Sequence, residues 1–126
     1  MRVLVTGSRD WSDHNAIHEA LLDHLTLQDT LVVGDCPTGA DAIALSEAKR
    51  TAANFEVHEA KWDEHTDACP DWCKVRSRCR IAGPRRNQEM VDSGVDICLA
   101  FPLGESRGTK DCMRRAKKAG VTVLEY

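Results

Sequence analysis

Short apolar runs alternate with helical segments along almost the whole chain, and this alternation restricts the fold more than any other feature. Val3-Leu4-Val5 and Leu31-Val32-Val33 are unbroken aliphatic runs stopped by Thr6-Gly7 and Gly34, the pattern of strands buried on both faces. Phe55 to Glu59, with Phe55 and Val57 on one face, is expected as a third strand; Val95 to Phe101 is the fourth and Val121 to Leu124 the fifth. Ser12 or Asp13 can cap a helix that carries Ile17, Leu21 and Leu25 on one side. An alanine-rich helix spans about 40–51, with Ile43 and Leu45 among its apolar positions. A third helix has Pro84 near its first turn, runs to about Asp92 and stops at Gly94. The last is capped by Thr109, turns Met113 and Ala116 inward and ends at Gly120. Strands that alternate with helices in this way make an α/β fold with a five-stranded parallel sheet between two helical layers. One domain covers 1–126 and one segment, 62–82, breaks the rhythm: it is polar, rich in cysteine and histidine and poor in aliphatics.

Right-handed crossovers put the carboxyl ends of all the strands on one edge. Four glycine-bearing turns fall there: Gly7-Ser8-Arg9, Gly34-Asp35 leading to Thr38-Gly39-Ala40-Asp41, Gly83-Pro84-Arg85-Arg86-Asn87, and Ser106-Arg107-Gly108-Thr109. Glycine lets a backbone approach a ligand closely, and a helix start offers unpaired N–H groups and partial positive charge. Together they predict a site for phosphate or another small anion. Gly7 and Ser8 would hold an anion with Arg9 as a charged clamp. Arg86, with Asn87 beside it, offers a bidentate fork, and Arg85 reads as a solvent-exposed neighbour. Ser106, Arg107, Gly108 and Thr109 have the make-up of a phosphate cradle that also serves as a capping turn. Asp35 or Asp41 either caps a helix or accepts from ribose hydroxyls. Trp11 and Trp62 lie near the same edge, where each can stack on a base or plug the rim of the core. The G-x-G-x-x-G and Walker A patterns are both absent.

Composition narrows the partners. The formal net charge is -3, which disfavours bulk binding to nucleic acid or anionic membrane. The longest nearly apolar run, Ile97 to Leu103, is too short to cross a bilayer, and no signal peptide opens the chain, so a cytoplasmic setting is expected. In such a reducing compartment six cysteines read as metal ligands before disulfides. His65, Cys69, Cys73 and Cys79 can supply the four ligands of a closed, structural zinc site, with free thiols or a redox disulfide as the alternatives. Cys98 and Cys112 fall in a strand and a helix as small buried residues, and Cys36 receives no role.

These residues resemble a known family. Val3-Leu4-Val5-Thr6-Gly7-Ser8-Arg9-Asp10-Trp11, Gly34 with Thr38-Gly39-Ala40-Asp41, Trp62, Ala82-Gly83-Pro84 through Arg86-Asn87, and Ala100-Phe101-Pro102 leading to Ser106-Arg107-Gly108-Thr109 occur in order over nearly the whole chain. They are similar to YspA-type members of the SLOG superfamily, relatives of LOG and of DprA/Smf. A cysteine-bearing insert before the Ala-Gly segment is similar to one in some actinobacterial and phage members. The resemblance implies a Rossmann-like domain that binds nucleotides or nucleotide-derived ligands, in some branches as a sensor. The LOG branch hydrolyses the N-glycosidic bond of nucleoside monophosphates with a G-G-x-G-T-x-x-E motif. This chain has Cys112 where that motif has its glutamate, with Asp111 one residue earlier and Glu105 before the turn.

Three functions therefore stand side by side. The first is a protein that binds or sequesters a nucleotide-derived small molecule. The second is an N-glycosidase acting on a nucleoside 5′-phosphate, with Asp41 and Asp111 as candidate catalytic carboxylates and Glu105 as a third. The third is a zinc-stabilised protein or nucleic-acid interaction module using Lys74, Arg76, Arg78 and Arg80, a minority reading given the net charge. The LOG relationship also allows a homodimer.

Overall fold

The apolar runs do form strands. A computed structural model, which describes all residues from Met1 to Tyr126, gives β1 (Arg2–Gly7), β2 (Thr30–Gly34), β3 (Asn54–His58), β4 (Ile97–Phe101) and β5 (Thr122–Glu125). They pair in parallel as one five-stranded sheet in the order β3-β2-β1-β4-β5. Successive side chains of a strand point to opposite faces, so each central run feeds two cores. Val3, Val5, Leu31, Val33, Leu99 and Phe101 pack on one face beneath α1 (His14–His24) and α2 (Gly39–Arg50). Leu4, Val32 and Cys98 pack on the other beneath α4 (Ala82–Asp92) and α5 (Arg107–Lys118). The result is the expected three-layer Rossmann-like sandwich.

β4 and the last helix start at other residues than the sequence reading gave, and β3 lies at the edge of the sheet. β4 begins at Ile97, because Asp96 is used to hold the start of β1: its carboxylate accepts the Arg2 N–H at 2.6 Å, and its own N–H donates to the Arg2 carbonyl at 2.9 Å. β3 is an edge strand, so Phe55 and Val57 stay exposed. Thr109 does not cap the last helix. Ser106, at φ 39°, is the N-cap, and Thr109 sits inside the first turn, 4% exposed.

β1 lies at the centre of the sheet. The chain winds from it through α1, β2 and α2 to β3, then returns to lay β4 and β5 on the opposite side. The strand order therefore reverses between β1 and β4, the place where open α/β sheets leave a crevice beyond the strand ends. The segment between β3 and α4 holds only the single turn α3 (Asp71–Lys74) and a small core of its own, made by Cys69, Cys73, Cys79 and Ala82. No helix is long and apolar enough to cross a membrane.

Candidate functional site

A cleft of about 970 Å³ opens at that reversal point. Its floor is the turn after β1. Tight backbone approach shapes this turn: the Ala40 N–H donates to the Ser8 carbonyl at 3.1 Å, and the Ser8 N–H donates to the Phe101 carbonyl at 2.9 Å. A Cβ on Gly7 would strike Ala40 and Phe101, and one on Gly39 would strike the Ser8 carbonyl. Gly39 also holds a φ of +74°, so only glycine serves there without strain. The Ser8 hydroxyl accepts the Asp10 N–H at 3.1 Å and fixes the turn that carries Arg9.

The opposite wall is the start of α5. No side chain caps this helix, and the Ser106 hydroxyl instead accepts the Leu103 N–H at 3.1 Å. The first helical bond comes from Lys110 to the Ser106 carbonyl, so the N–H groups ahead of it lie open at the cleft. A Cβ on Gly108 would meet nothing within 4 Å, which leaves room for an anion against the backbone. Two other helix starts at this edge, those of α2 and α4, also lack a side-chain cap, whereas that of α1 is capped by Asp13.

Arg86 is placed by β2, β3 and α4 together. Its Nη1 donates to Asp35 Oδ1 at 3.0 Å and to the His58 carbonyl at 3.4 Å, and its Nε donates to Asn87 Oδ1 at 3.2 Å. Asn87, 4% exposed, donates in turn to the Gly108 carbonyl at 3.2 Å and to Asp111 at 3.0 Å, which ties α4 to the cradle of α5. Asp41 is the buried carboxylate of the cleft, 8% exposed. Burial pushes it up to about 6, against the opposing pull of Arg86 and of the Cys36 N–H at 3.4 Å.

The candidate residues thus divide. Gly7, Ser8, Arg9, Asp35, Asp41, Arg86 and Asn87 line the cleft from one side, and Ser106 to Thr109 line it from the other. Thr38 and Gly39 are not part of the lining; Thr38 precedes α2 as its N-cap residue, and Gly39 lies against the Ser8-Arg9 turn. Asp111 lies outside the lining, held by Arg114 at 2.7 Å, Arg115 at 2.9 Å and Asn87. Cys112, in place of the LOG glutamate, is fully buried. Trp11 plugs the rim of the core: it packs edge-on against Phe101 at 5.2 Å and donates to the Asp13 carbonyl. Trp62 does line the cleft, packed over Gly83.

The insert brings its predicted ligands together. One donor atom each from His65, Cys69, Cys73 and Cys79 falls in a group spanning 4.8 Å or less. His65 Nε2 lies 2.9 Å from the Arg76 carbonyl, which sets the tautomer and turns Nδ1 toward the thiols. The Thr66 N–H, donating at 3.3 Å, is the largest influence that draws the Cys69 thiol down to about 6. Sequence reasoning missed Arg85. It is no exposed neighbour: its guanidinium reaches Cys69 at 3.7 Å, Cys79 at 3.5 Å and the Glu64 carbonyl at 3.2 Å. The contacts span 6 to 21 residues of sequence, and only a basic residue one position before Arg86 signalled them.

Known proteins are similar to this chain. The profile of the YspA, cpYpsA-related SLOG family matches residues 1–65. The Gene 61 protein of Mycobacterium phage D29 is 41% identical over 132 residues, which cover 99% of this chain and 95% of that protein. Among solved structures, DNA processing protein A (DprA) from Streptococcus pneumoniae superposes with a TM-score of 0.74 at 15% identity, a likeness of fold. The match takes in 98% of this chain, which spans about half (49%) of the DprA chain. The glycine turns, their order along the sheet and these matches agree: the chain belongs to the YspA, cpYpsA-related SLOG family.

Proposed function

We propose that this protein binds a nucleotide or nucleotide-derived small ligand at the carboxyl edge of its sheet, as a sensor or sequestering protein. The observation that carries the reading is the uncapped start of α5 facing the Ser8-Arg9 turn across the cleft. Open N–H groups, the Ser8, Ser106 and Thr109 hydroxyls and Arg9 surround a place that suits a phosphate. Asp41, buried in the cleft, and Asp35, exposed in the same lining, are the acceptors for ribose hydroxyls. The test is titration of the full chain with mono-, di- and triphosphates of each nucleoside and with ADP-ribose. Saturable binding is expected, lost in Gly108→Asp, which places a carboxylate where the anion sits without a packing clash. No binding to any member of the panel, or unchanged affinity in Gly108→Asp, overturns the reading.

A second reading has its own support. Asp41 is a buried carboxylate whose proton affinity is raised toward neutrality, a property that gathers at catalytic sites. An N-glycosidase needs such a group near the anomeric carbon, either to orient water or to stabilise developing positive charge. Chromatography of the same incubations for free base decides the matter: release that disappears in Asp41→Asn would establish hydrolysis, and no release leaves binding alone.

The insert fits structural zinc. Zn–S bonds of about 2.3 Å and Zn–N bonds of about 2.0–2.1 Å imply tetrahedron edges of roughly 3.8 Å between sulfurs and roughly 3.6 Å from sulfur to nitrogen. The Cys69–Cys79 and Cys73–Cys79 sulfurs are 3.7 and 3.9 Å apart, and Cys73 Sγ is 3.6 Å from His65 Nδ1. Three thiolates and one imidazole would leave the zinc site with one net negative charge, and Arg85 is placed to balance it.

A further inference from the structure

The insert enters the cleft as well as closing on itself. Cys79 is wholly buried in the four-ligand cluster, and its two sequence neighbours, Arg78 and Arg80, both line the cleft beside Trp62. The Cys79 N–H donates to the Trp62 carbonyl at 2.6 Å, which ties the two loop segments of this wall together. Arg78 stacks over the Trp62 ring at 5.3 Å. Neither Arg78 nor Arg80 has an ion-pair partner. In contrast, the other cations of the cleft include two that face acids: Arg86 pairs with Asp35 at 3.0 Å, and Arg107 lies 3.7 Å from Glu105. Once those pairs are set aside, the lining keeps three cations, Arg9, Arg78 and Arg80, against two carboxylates, Asp10 and Asp41. A chain of net charge -3 thus concentrates uncompensated positive charge in one cleft. The cleft volume of about 970 Å³ is also at the upper end for small-ligand sites, more than a nucleoside monophosphate fills.

We propose that Arg78 and Arg80, held beside Trp62 by the Cys79 knuckle, form a second anion-recognising wall, and that the ligand is a nucleotide with phosphates joined by an anhydride bond. The first phosphate lies at the α5 start and the next reaches the insert wall. The proposal rests on the nucleotide reading given above and adds to it the number of phosphates and the residues that count them. Arginine suits this task, since its planar fork meets phosphate oxygens in pairs.

The test compares affinities of the metal-loaded full chain for the mono-, di- and triphosphates of each nucleoside and for ADP-ribose, in wild type, Arg78→Gln/Arg80→Gln and Gly108→Asp. Wild type is expected to prefer at least one anhydride-containing ligand over the matching monophosphate by tenfold or more. The double variant should lose about tenfold for that ligand while its monophosphate affinity stays within twofold, and Gly108→Asp should lose both. Metal content and circular dichroism show that the double variant is folded; if its metal is lost, the single Arg80→Gln carries the same two outcomes. Equal affinity of wild type for mono- and diphosphates, or a double variant indistinguishable from wild type, overturns the second wall and leaves the nucleotide site standing. Binding to no nucleotide at all overturns both.

Discussion

Asp41 shows how a single buried carboxylate can oppose the stability of the fold that holds it. Burial raises it from 3.8 to about 6, so between those values the folded protein holds a proton that the unfolded chain has released. Stability therefore falls as pH rises through this window and stays lower above it, a cost on the order of 1–3 kcal/mol at neutral pH. Asp41→Asn removes the charge and keeps an oxygen for the Cys36 N–H. The variant is expected to melt at higher temperature than wild type at pH 7, with the advantage gone near pH 4, where both side chains are neutral. Thermal melts at the two pH values check this, and an advantage of the same size at both would refute the burial argument. Loss of ligand binding or base release in the same variant would tie the cost to function. Gly39 and Gly108 make the complementary point, because both were legible in the sequence as members of glycine turns. Composition alone could not say that Gly39 is needed for its positive φ and its contact with Ser8, or that Gly108 faces open space.

The insert shows which elements a sequence reveals and which it hides. Its candidate metal ligands were legible because spacing brings residues of one short segment together, and its lack of aliphatics called for another source of order. Arg85 was hidden because its partners lie in a segment whose path no periodicity encodes. The strands were legible from their apolar runs, but the cap of α5 was misplaced. Thr109 is a favourable capping residue, yet the helix starts earlier, at a Ser106 held in a left-handed conformation by the turn itself. Residues 62–81 have little apolar core apart from the thiols, so their order should depend on the metal. Removal of metal with a chelator, or Cys79→Ser, is expected to expose the basic stretch from Lys74 to Arg80 to trypsin while the far-UV spectrum of the sheet and its helices persists. Metal analysis should give about one zinc per chain before chelation. Unchanged proteolysis after the metal is gone would show that the segment holds itself together.

The domain as a whole opens its cleft where the sheet reverses, at the strand edge that was the most legible property of all. Alternating strands and helices imply a parallel sheet, right-handed crossovers imply one edge for all the strand ends, and the glycine turns after β1, after β2 and at the start of α5 mark it, whereas Gly83 to Asn87, expected as a fourth turn, lie within α4. The sequence does not specify the strand order, since the return from β3 to β4 passes through the irregular insert; the crevice between β1 and β4 follows from that order. One consequence concerns cooperativity. The cleft is floored by the turn after the central strand β1 and walled by α4, α5 and the insert, so a bound ligand joins parts from both sides of the reversal. A ligand that requires all of them binds only the folded domain and stabilises it as a unit. At a free concentration about 100 times Kd the gain is about 2.7 kcal/mol. For 126 residues this corresponds to a Tm increase of roughly 10 °C. Differential scanning calorimetry with and without the best nucleotide of the panel should show one transition moved upward. A shift confined to part of a split transition would mean that the ligand holds the insert alone, and that the cleft does not act as the joint between the two halves of the sheet.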